Sequence, residues 1–309
     1  MALVEYRAQM SKWRAPSGGV GSTVRDDEPA KGMLPFSREL LPLVNHPLLR
    51  GTGDEGRYWL LAQRLYSYMD WTFALETNVV LPVAGRLVED TYSLNAGPEL
   101  REDALKIIVD EGHHALEALT TKNLVIAATG IAPLQAYTPP SFVARLAKVE
   151  GESPASERAI VRLVFAMVSE TLITSLLTKL PKDEAVLPVV RAAVRQHAVD
   201  EARHHSVFAQ VMEVAWARWT VDQKDRYGPW FAEFLDAFLS PNVTAADCWL
   251  RHIGLADDLR ASILEDVYAP SRLSSSTREA SEPSLRAMRR AGLFENQRFV
   301  DALGKKGMS

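Results

Sequence analysis

Two copies of one short motif constrain this chain more than any other feature of its sequence. The pattern Asp-Glu-x-x-His occurs at residues 110–114 and again at residues 200–204. Both copies fall in long segments whose apolar residues recur at helical spacing. Residues three apart lie on the same face of a helix, so each copy can present a carboxylate and an imidazole to one metal ion. The repeated motif therefore predicts two helices that share a metal centre.

Four long segments carry the helical periodicity. They are expected at about 57–94, 98–129, 154–180 and 183–219. Pro82 should kink the first segment, and Pro188 should lie near the start of the last. Short turns join the first segment to the second and the third to the fourth, whereas a longer stretch with three prolines joins the second to the third. These connections predict a four-helix bundle with one long crossover.

The residues before and after the predicted bundle differ from it in composition. Residues 1–55 are rich in proline and glycine, which predicts a short opening helix followed by an irregular wrap. Beyond the bundle, at about 57–219, we expect further helices over about 222–304, with a serine-rich loop at 271–279 and a final basic helix at about 283–303. Since no flexible linker separates these parts, the sequence predicts one all-α domain over 1–309.

Composition excludes several classes of protein. A net charge of -4 with no long basic block gives no support for a nucleic-acid partner. The single cysteine, Cys248, excludes a disulfide framework and a four-cysteine metal knuckle, and favours a cytoplasmic setting. Neither a secretion signal nor a membrane-spanning run is apparent, so we expect a protein that is neither secreted nor embedded in a membrane.

Two lone glutamates supply the carboxylates that a two-metal bundle still needs. Glu76 and Glu170 each lie in a largely apolar stretch with no lysine or arginine within one helical turn. Burial of an ionised carboxylate there is prohibitive without a partner, and a metal pair would supply the positive charge. The alternative is a glutamate that reaches a bundle end or pairs across helices.

His197 extends the second motif. It lies four residues before Glu201 and seven before His204, on one stripe of the same helix, so we expect a third imidazole ligand on the same ion as His204. The alternative is a hydrogen-bonded core histidine. His113 and His205 point away from the stripe and are not expected to be ligands.

The aspartate of each motif has a predicted role outside the metal shell. A metal-bound imidazole commonly donates its other N–H to a carboxylate. We expect Asp110 to orient His204 and Asp200 to orient His114 across the bundle. The alternative is a solvated charge, and Arg203 either joins this network or is exposed.

The donor set indicates the metal. Four carboxylates and three imidazoles without a thiolate suit iron, with manganese as the alternative, and argue against structural zinc. Two ferrous ions can together deliver two electrons to O2 and hold the resulting peroxide between them. This chemistry supports either iron oxidation or oxygen insertion. The predicted ligands are Glu76, Glu111, His114, Glu170, His197, Glu201 and His204.

In their order and spacing, these seven residues resemble the non-haem di-iron N-oxygenases of the p-aminobenzoate N-oxygenase (AurF-type) family. The match covers about residues 57–210. The resemblance implies a ferritin-like fold, a homodimer, and oxidation of an arylamine through hydroxylamine and nitroso stages towards a nitro group. The additional histidine in HAVDEARH separates the pattern from ferritins, acyl desaturases and ribonucleotide reductase small subunits.

Helical spacing also suggests residues that line a substrate pocket. Tyr68 and Thr72 lie eight and four positions before Glu76, and Thr174 lies four after Glu170, so all three should face the metal region. Ordinary core positions are the alternative for each. Although the final helix carries several arginines, the sequence identifies no anchor for a substrate carboxylate.

The leading hypothesis is an O2-dependent N-oxygenase that acts on a small-molecule amine and receives electrons from a partner reductase. The amine is either aromatic, an amino acid or bound to a carrier. Rival hypotheses are a di-iron C-oxygenase and a ferritin-like protein that handles iron or peroxide. Ferritins have much shorter chains and rubrerythrins need a cysteine knuckle, so both features of this sequence disfavour the second rival.

Overall fold

A computed structural model describes residues 6–7, 9–10, 13, 32–134, 140–172 and 175–308. In these residues the fold is an all-α ferritin-like bundle, as predicted. The described residues also contain one isolated parallel β-bridge, between Leu34 and Val186. The predicted opening helix lies outside the described residues. The described part of the wrap contains two short 3-10 segments, Pro42–Asn45 and Pro47–Thr52.

The first helical hairpin differs from the prediction at one point. It consists of α1 (Gly53–Leu75), a π-helical turn (Glu76–Val80), α2 (Leu81–Val88) and α3 (Pro98–Thr129). The first segment thus ends at Val88 rather than at residue 94, and the irregularity precedes Pro82. Pro82 has no amide N–H that could bond the carbonyl four residues before it, which belongs to Asn78. The Arg162 guanidinium donates to this carbonyl instead, at 2.5 Å.

The second hairpin is interrupted where a single helix was expected. After the crossover helix α4 (Ser141–Glu152), α5 (Arg158–Ser169) ends immediately before Glu170, and α6 (Ser175–Lys179) is short. The prediction of one helix over 154–180 was therefore wrong. The Thr171 hydroxyl lies 2.7 Å from the Met167 carbonyl and 2.7 Å from the Ser284 hydroxyl, contacts that hold this turn. The hairpin is completed by α7 (Pro188–Arg218).

The C-terminal helices cover one side of the bundle. They are α8 (Val221–Leu239), α9 (Val243–His252), α10 (Asp257–Tyr268), α11 (Pro270–Ala291) and α12 (Gln297–Lys305). The prediction of a loop at 271–279 was wrong, because α11 runs through it and packs on α7. The predicted final helix is divided at Gly292, whose φ of 86° is left-handed.

Apolar side chains form two core clusters with a polar layer between them. Along α3, Leu100 to Ile107 belong to one cluster and Ala118 and Val125 to the other. Along α7, Val190 and Val194 belong to the second cluster and the residues from Val207 onward to the first. The buried residues Asp110, Glu111 and His114 of α3 and Asp200 and His204 of α7 lie between the two clusters, so the fold places a charged layer between two apolar ones.

Among the described residues, no helix combines the length and the apolar character needed to cross a bilayer. The division into one domain over 1–309 stays a prediction.

Candidate metal centre

The two Asp-Glu-x-x-His motifs meet at the polar layer. The Nδ1 atom of His114 lies 2.8 Å from Glu111 Oε2 and 3.7 Å from Glu201 Oε1. The Nδ1 atom of His204 lies 2.9 Å from Glu111 Oε1 and 3.4 Å from Glu201 Oε1. Each glutamate is therefore close to both imidazoles, an arrangement in which the two carboxylates can be shared by two ions.

The two lone glutamates reach the same layer from irregular backbone. Glu76 begins the π turn and is 1% exposed, and Glu170 follows the end of α5 and is 3% exposed. Carboxylate oxygens of Glu76, Glu111 and Glu170 lie within 4.8 Å of one another. Three carboxylates this close repel one another strongly unless protons or cations neutralise them.

His197 joins a different part of the cluster from the one expected. Its Nε2 atom lies 3.0 Å from Glu201 Oε1 and 3.8 Å from Glu76 Oε1, and its ring is 4.3 Å from that of His114. Metal-binding geometry groups it with Glu76, His114 and Glu201, and not with His204. The expectation of one ion shared with His204 stays a prediction, and it is not favoured by this grouping, because seven residues separate the two histidines by roughly 10 Å along the helix.

The motif aspartates form the crossed arrangement that the sequence predicts. His114 Nε2 lies 3.1 Å from Asp200 Oδ2, and His204 Nε2 lies 3.2 Å from Asp110 Oδ2. Arg203 donates to Asp200, which resolves the alternative left open for this side chain.

Two further donors were missed by the sequence analysis. Trp13 Nε1 donates to Asp110 at 2.8 Å, and Gln196 Nε2 donates to Asp200 at 3.1 Å. Gln196 precedes its partner by one helical turn, a spacing that could have identified it. Trp13 comes from the wrap, and no local pattern relates it to residue 110.

The pKa values reflect crowded, buried charge. Burial and the neighbouring glutamates raise the pKa of Glu76 and of Glu170 well above the usual value. Burial opposes the shift at Glu111, but His204 and His114 lower its pKa to about 2. Burial likewise opposes the shift at His114, yet Glu111 and Asp200 raise its pKa to about 10. The layer therefore binds positive charge tightly.

Unsatisfied atoms show that this layer fits metal ions. Within the part of the chain that the structure describes, four buried atoms of the cluster lack a hydrogen-bond partner: Glu76 Oε2, Glu111 Oε1, Glu170 Oε2 and His204 Nδ1. Glu111 Oε1 and His204 Nδ1 are close but not aligned as a hydrogen bond. Lone pairs directed at a common cation explain such geometry, and oxygen and nitrogen donors suit iron or manganese.

The predicted pocket residues have different outcomes. Tyr68 and Thr72 are buried and line a gap of about 10 Å³ beside His114 and His197. Such a gap has room for about one water molecule. Thr174 lies outside the described residues. Glu117, which the sequence analysis missed, also lines the gap, and burial raises its pKa to about 7.

His113 and His205 are half-buried and take no part in these candidate metal-binding groups of the described residues. The fold and the donor set together define a ferritin-like bundle protein with a carboxylate- and histidine-rich centre that could hold two metal ions.

Comparison with known proteins places the chain more closely. Residues 23–292 match the family described as P-aminobenzoate N-oxygenase AurF. The chain is also 26% identical over 225 residues to a 4-aminobenzoate N-oxygenase of Streptomyces thioluteus, in a match that covers 71% of this chain and 66% of that protein. The chain belongs to the AurF family of N-oxygenases.

Proposed function

We propose that this protein is an O2-dependent N-oxygenase that oxidises an arylamine, through hydroxylamine and nitroso stages towards a nitro group, at a centre of two iron ions. The observation that carries the proposal is the convergence of seven carboxylate and imidazole side chains, five of them buried and two partly buried, in one layer between two apolar clusters. Family membership and the 4-aminobenzoate N-oxygenase relative support the arylamine substrate.

The cluster divides naturally between two ions. Glu76, His114 and His197 would hold one, and Glu170 and His204 would hold the other. Glu111 and Glu201, which approach both imidazoles, would be shared. When bound, two ferrous ions supply the two electrons that reduce O2. The third imidazole would make the two ions unequal.

The chain's own contribution is to orient these ligands and to exclude water. Asp200 and Asp110 accept hydrogen bonds from the Nε2 atoms of His114 and His204, so each imidazole is held as the tautomer whose Nδ1 faces the centre. Trp13 and Arg203 hold the aspartates in turn. The apolar clusters on both sides keep the centre dry, which protects a reactive oxidant from water.

An exposed apolar stripe on α3 supports the proposed homodimer. Leu105, Val109, Leu116 and Leu119 are each 46% to 53% exposed and share one side of the helix. A run of large apolar side chains of this kind is typical of a protein interface. Sedimentation velocity should therefore give a dimer, and a 24-subunit cage would instead favour iron storage. The electron donor and the cytoplasmic setting stay predictions.

The function is tested with protein reconstituted with ferrous iron, a chemical reductant, 4-aminobenzoate and ¹⁸O2. We expect ¹⁸O on the nitrogen of the product, as shown by mass spectrometry, and close to two irons per chain. Ring hydroxylation without N-oxidation would support the C-oxygenase rival instead. Iron oxidation with no oxygenated product across a panel of arylamines would overturn the proposal.

A further inference from the structure

The N-terminal segment of the chain, meaning the described residues among 6–13, binds to both helices that carry the motifs. The Tyr6 phenol and the Gln9 backbone amide donate to the buried Asp103 carboxylate on α3, at 2.7 and 2.5 Å. The Gln9 side chain donates to Gln210 on α7 at 2.5 Å. The segment therefore connects α3 to α7.

Trp13 links this segment to the metal centre. Its Nε1 atom donates to Asp110 Oδ1 at 2.8 Å, while the other oxygen of the same carboxylate, Oδ2, lies 3.2 Å from His204 Nε2. Asp110 is 1% exposed, so bulk water does not replace these partners. A continuous series of hydrogen bonds thus runs from the indole to a candidate metal ligand.

Asp200, the corresponding aspartate of the second motif, has donors on its own helix. The Gln196 amide, one turn before it, donates at 3.1 Å, and the Arg203 guanidinium, three residues after it, also donates. Both donors belong to α7. The helix that carries Asp200 therefore also orients it for His114.

Asp110 obtains no such support from α3 within the described chain. Lys106, one turn before it, binds two other carboxylates, at 2.9 and 3.3 Å. The hydrogen-bond partners of Asp110 among the described residues are Trp13 and His204. The Arg203 guanidinium, which donates to the other aspartate, lies 4.0 Å away. The N-terminal segment thus supplies Asp110 with a donor of the kind that α7 supplies to its own aspartate.

Loss of the indole N–H would affect one end of the metal centre. A buried carboxylate oxygen without a donor carries a desolvation penalty, so Asp110 would turn or take up a proton. Either change removes the acceptor that fixes the ring of His204. In the proposed division His204 is the one imidazole of its ion, whereas the other ion has both His114 and His197.

We infer that Trp13 is a positioning residue of the metal centre, which acts through Asp110 on His204, so that the ion at His204 is held tightly only while the N-terminal segment is docked. The inference rests on the two-ion centre of the proposed function. It goes beyond that function because it makes the two metal positions differ in what they need. The ion at His114 depends on the bundle helices, and the ion at His204 depends on the segment as well.

The test is ferrous iron binding without O2 and without substrate. Equilibrium dialysis against a series of free iron(II) concentrations measures the affinity of each ion. Trp13→Phe keeps an aromatic ring and removes the N–H donor. It should weaken one ion by about 10- to 100-fold, the range for loss of an outer partner of a metal ligand, and leave the other at wild-type affinity. Tyr6→Phe, which loosens the segment at Asp103, should weaken the same ion and is the second variant if Trp13→Phe fails to fold.

Gln196→Met is the matched control. It removes a side-chain donor from Asp200, which keeps the guanidinium of Arg203. Both iron affinities of this variant should therefore stay close to those of the wild type.

A double-mutant cycle separates positioning from general destabilisation. In an Asp110→Asn background, Trp13→Phe should cause no further loss of iron affinity, because its path to His204 is already broken. In an Asp200→Asn background, Trp13→Phe should keep its full effect. A purely structural contribution of Trp13 would weaken iron binding alike in both backgrounds.

Three results would overturn the inference: wild-type affinity for both ions in Trp13→Phe, an equal loss of both ions, or equal effects in the two backgrounds. Wild-type protein that binds fewer than two ions would contradict the two-metal centre of the proposed function, and the inference with it. Two tightly bound ions in both the wild type and Trp13→Phe would contradict the inference alone.

Discussion

The metal centre has a regular half and an irregular half. Glu111, His114, Glu201 and His204 project from α3 and α7, two unbroken helices of 32 and 31 residues. Glu76 and Glu170, in contrast, occur where a helix is interrupted, by a π turn in one case and by the end of α5 in the other. The difference shows that local spacing can place one half of such a site, whereas the other half depends on backbone irregularities.

Irregular backbone at Glu76 has a physical role. A π turn adds one residue to a helical turn and rotates the side chains that follow. It lets Glu76 face the centre while Val79, Val80 and Val83 remain in the apolar cluster. Because π turns are often found at functional sites, its coincidence with a candidate ligand supports the proposed assignment.

The largest effect is expected in the regular half. Glu111→Gln should reduce iron affinity by at least about 100-fold, because the carboxylate approaches both imidazoles and would be shared by both ions. Iron per chain after gel filtration measures the loss. Glu102→Gln, on the same helix but exposed and paired with Lys106, is the control and should retain iron. Full iron content in Glu111→Gln would remove this residue from the shared position.

An intermediate effect is expected in the irregular half, and it depends on pH. Glu76 has a raised pKa in the folded metal-free protein, so its ionisation destabilises that state as pH rises above the unfolded pKa. The raised pKa of His114 acts in the same direction, since its contribution is complete below the unfolded pKa and is lost as pH rises towards about 10. Metal-free protein should therefore melt at a lower temperature at pH 9 than at pH 6.

Glu76→Gln sharpens this prediction. The neutral amide removes a buried carboxylate, so the variant should stabilise the metal-free protein by about 1–3 kcal/mol at pH 8 while it weakens iron binding. Denaturant unfolding of both proteins with and without iron measures the two effects. If Glu76→Gln destabilised the metal-free protein, the carboxylate would have a structural role that the two-metal interpretation does not include.

The smallest effect concerns the backbone that positions Glu76. Arg162→Met removes the hydrogen bond to the Asn78 carbonyl within the π turn together with the ion pair to Glu150, and should cost about 0.5–1.5 kcal/mol of stability with a modest loss of iron. Thermal unfolding and iron content provide the measurements. Arg158→Met, at an exposed position of the same helix, is the control. An unchanged iron affinity and unfolding temperature in Arg162→Met would show that the turn does not need this support.

The sequence predicted the bundle, its long crossover and the convergence of the seven donors. It did so because a metal site on helices needs a glutamate and a histidine three residues apart and further carboxylates in apolar stretches. Both features can be recognised in one amino-acid sequence. It also predicted the crossed hydrogen bonds of Asp110 and Asp200. This prediction follows from the rule that a metal-bound imidazole donates its other N–H to an acceptor such as a carboxylate.

Other features required contacts between distant parts of the chain. α11 packs against α7, and Trp13 reaches Asp110 across 97 positions. Arg162 reaches the Asn78 carbonyl across 84 positions, and no periodicity relates the two residues. Helical spacing indicated which residues could bind metal, because residues three or four apart lie on one face of a helix. Only tertiary packing decided that Trp13 bonds Asp110 and that Arg162 bonds the Asn78 carbonyl, because each contact joins groups far apart in the sequence.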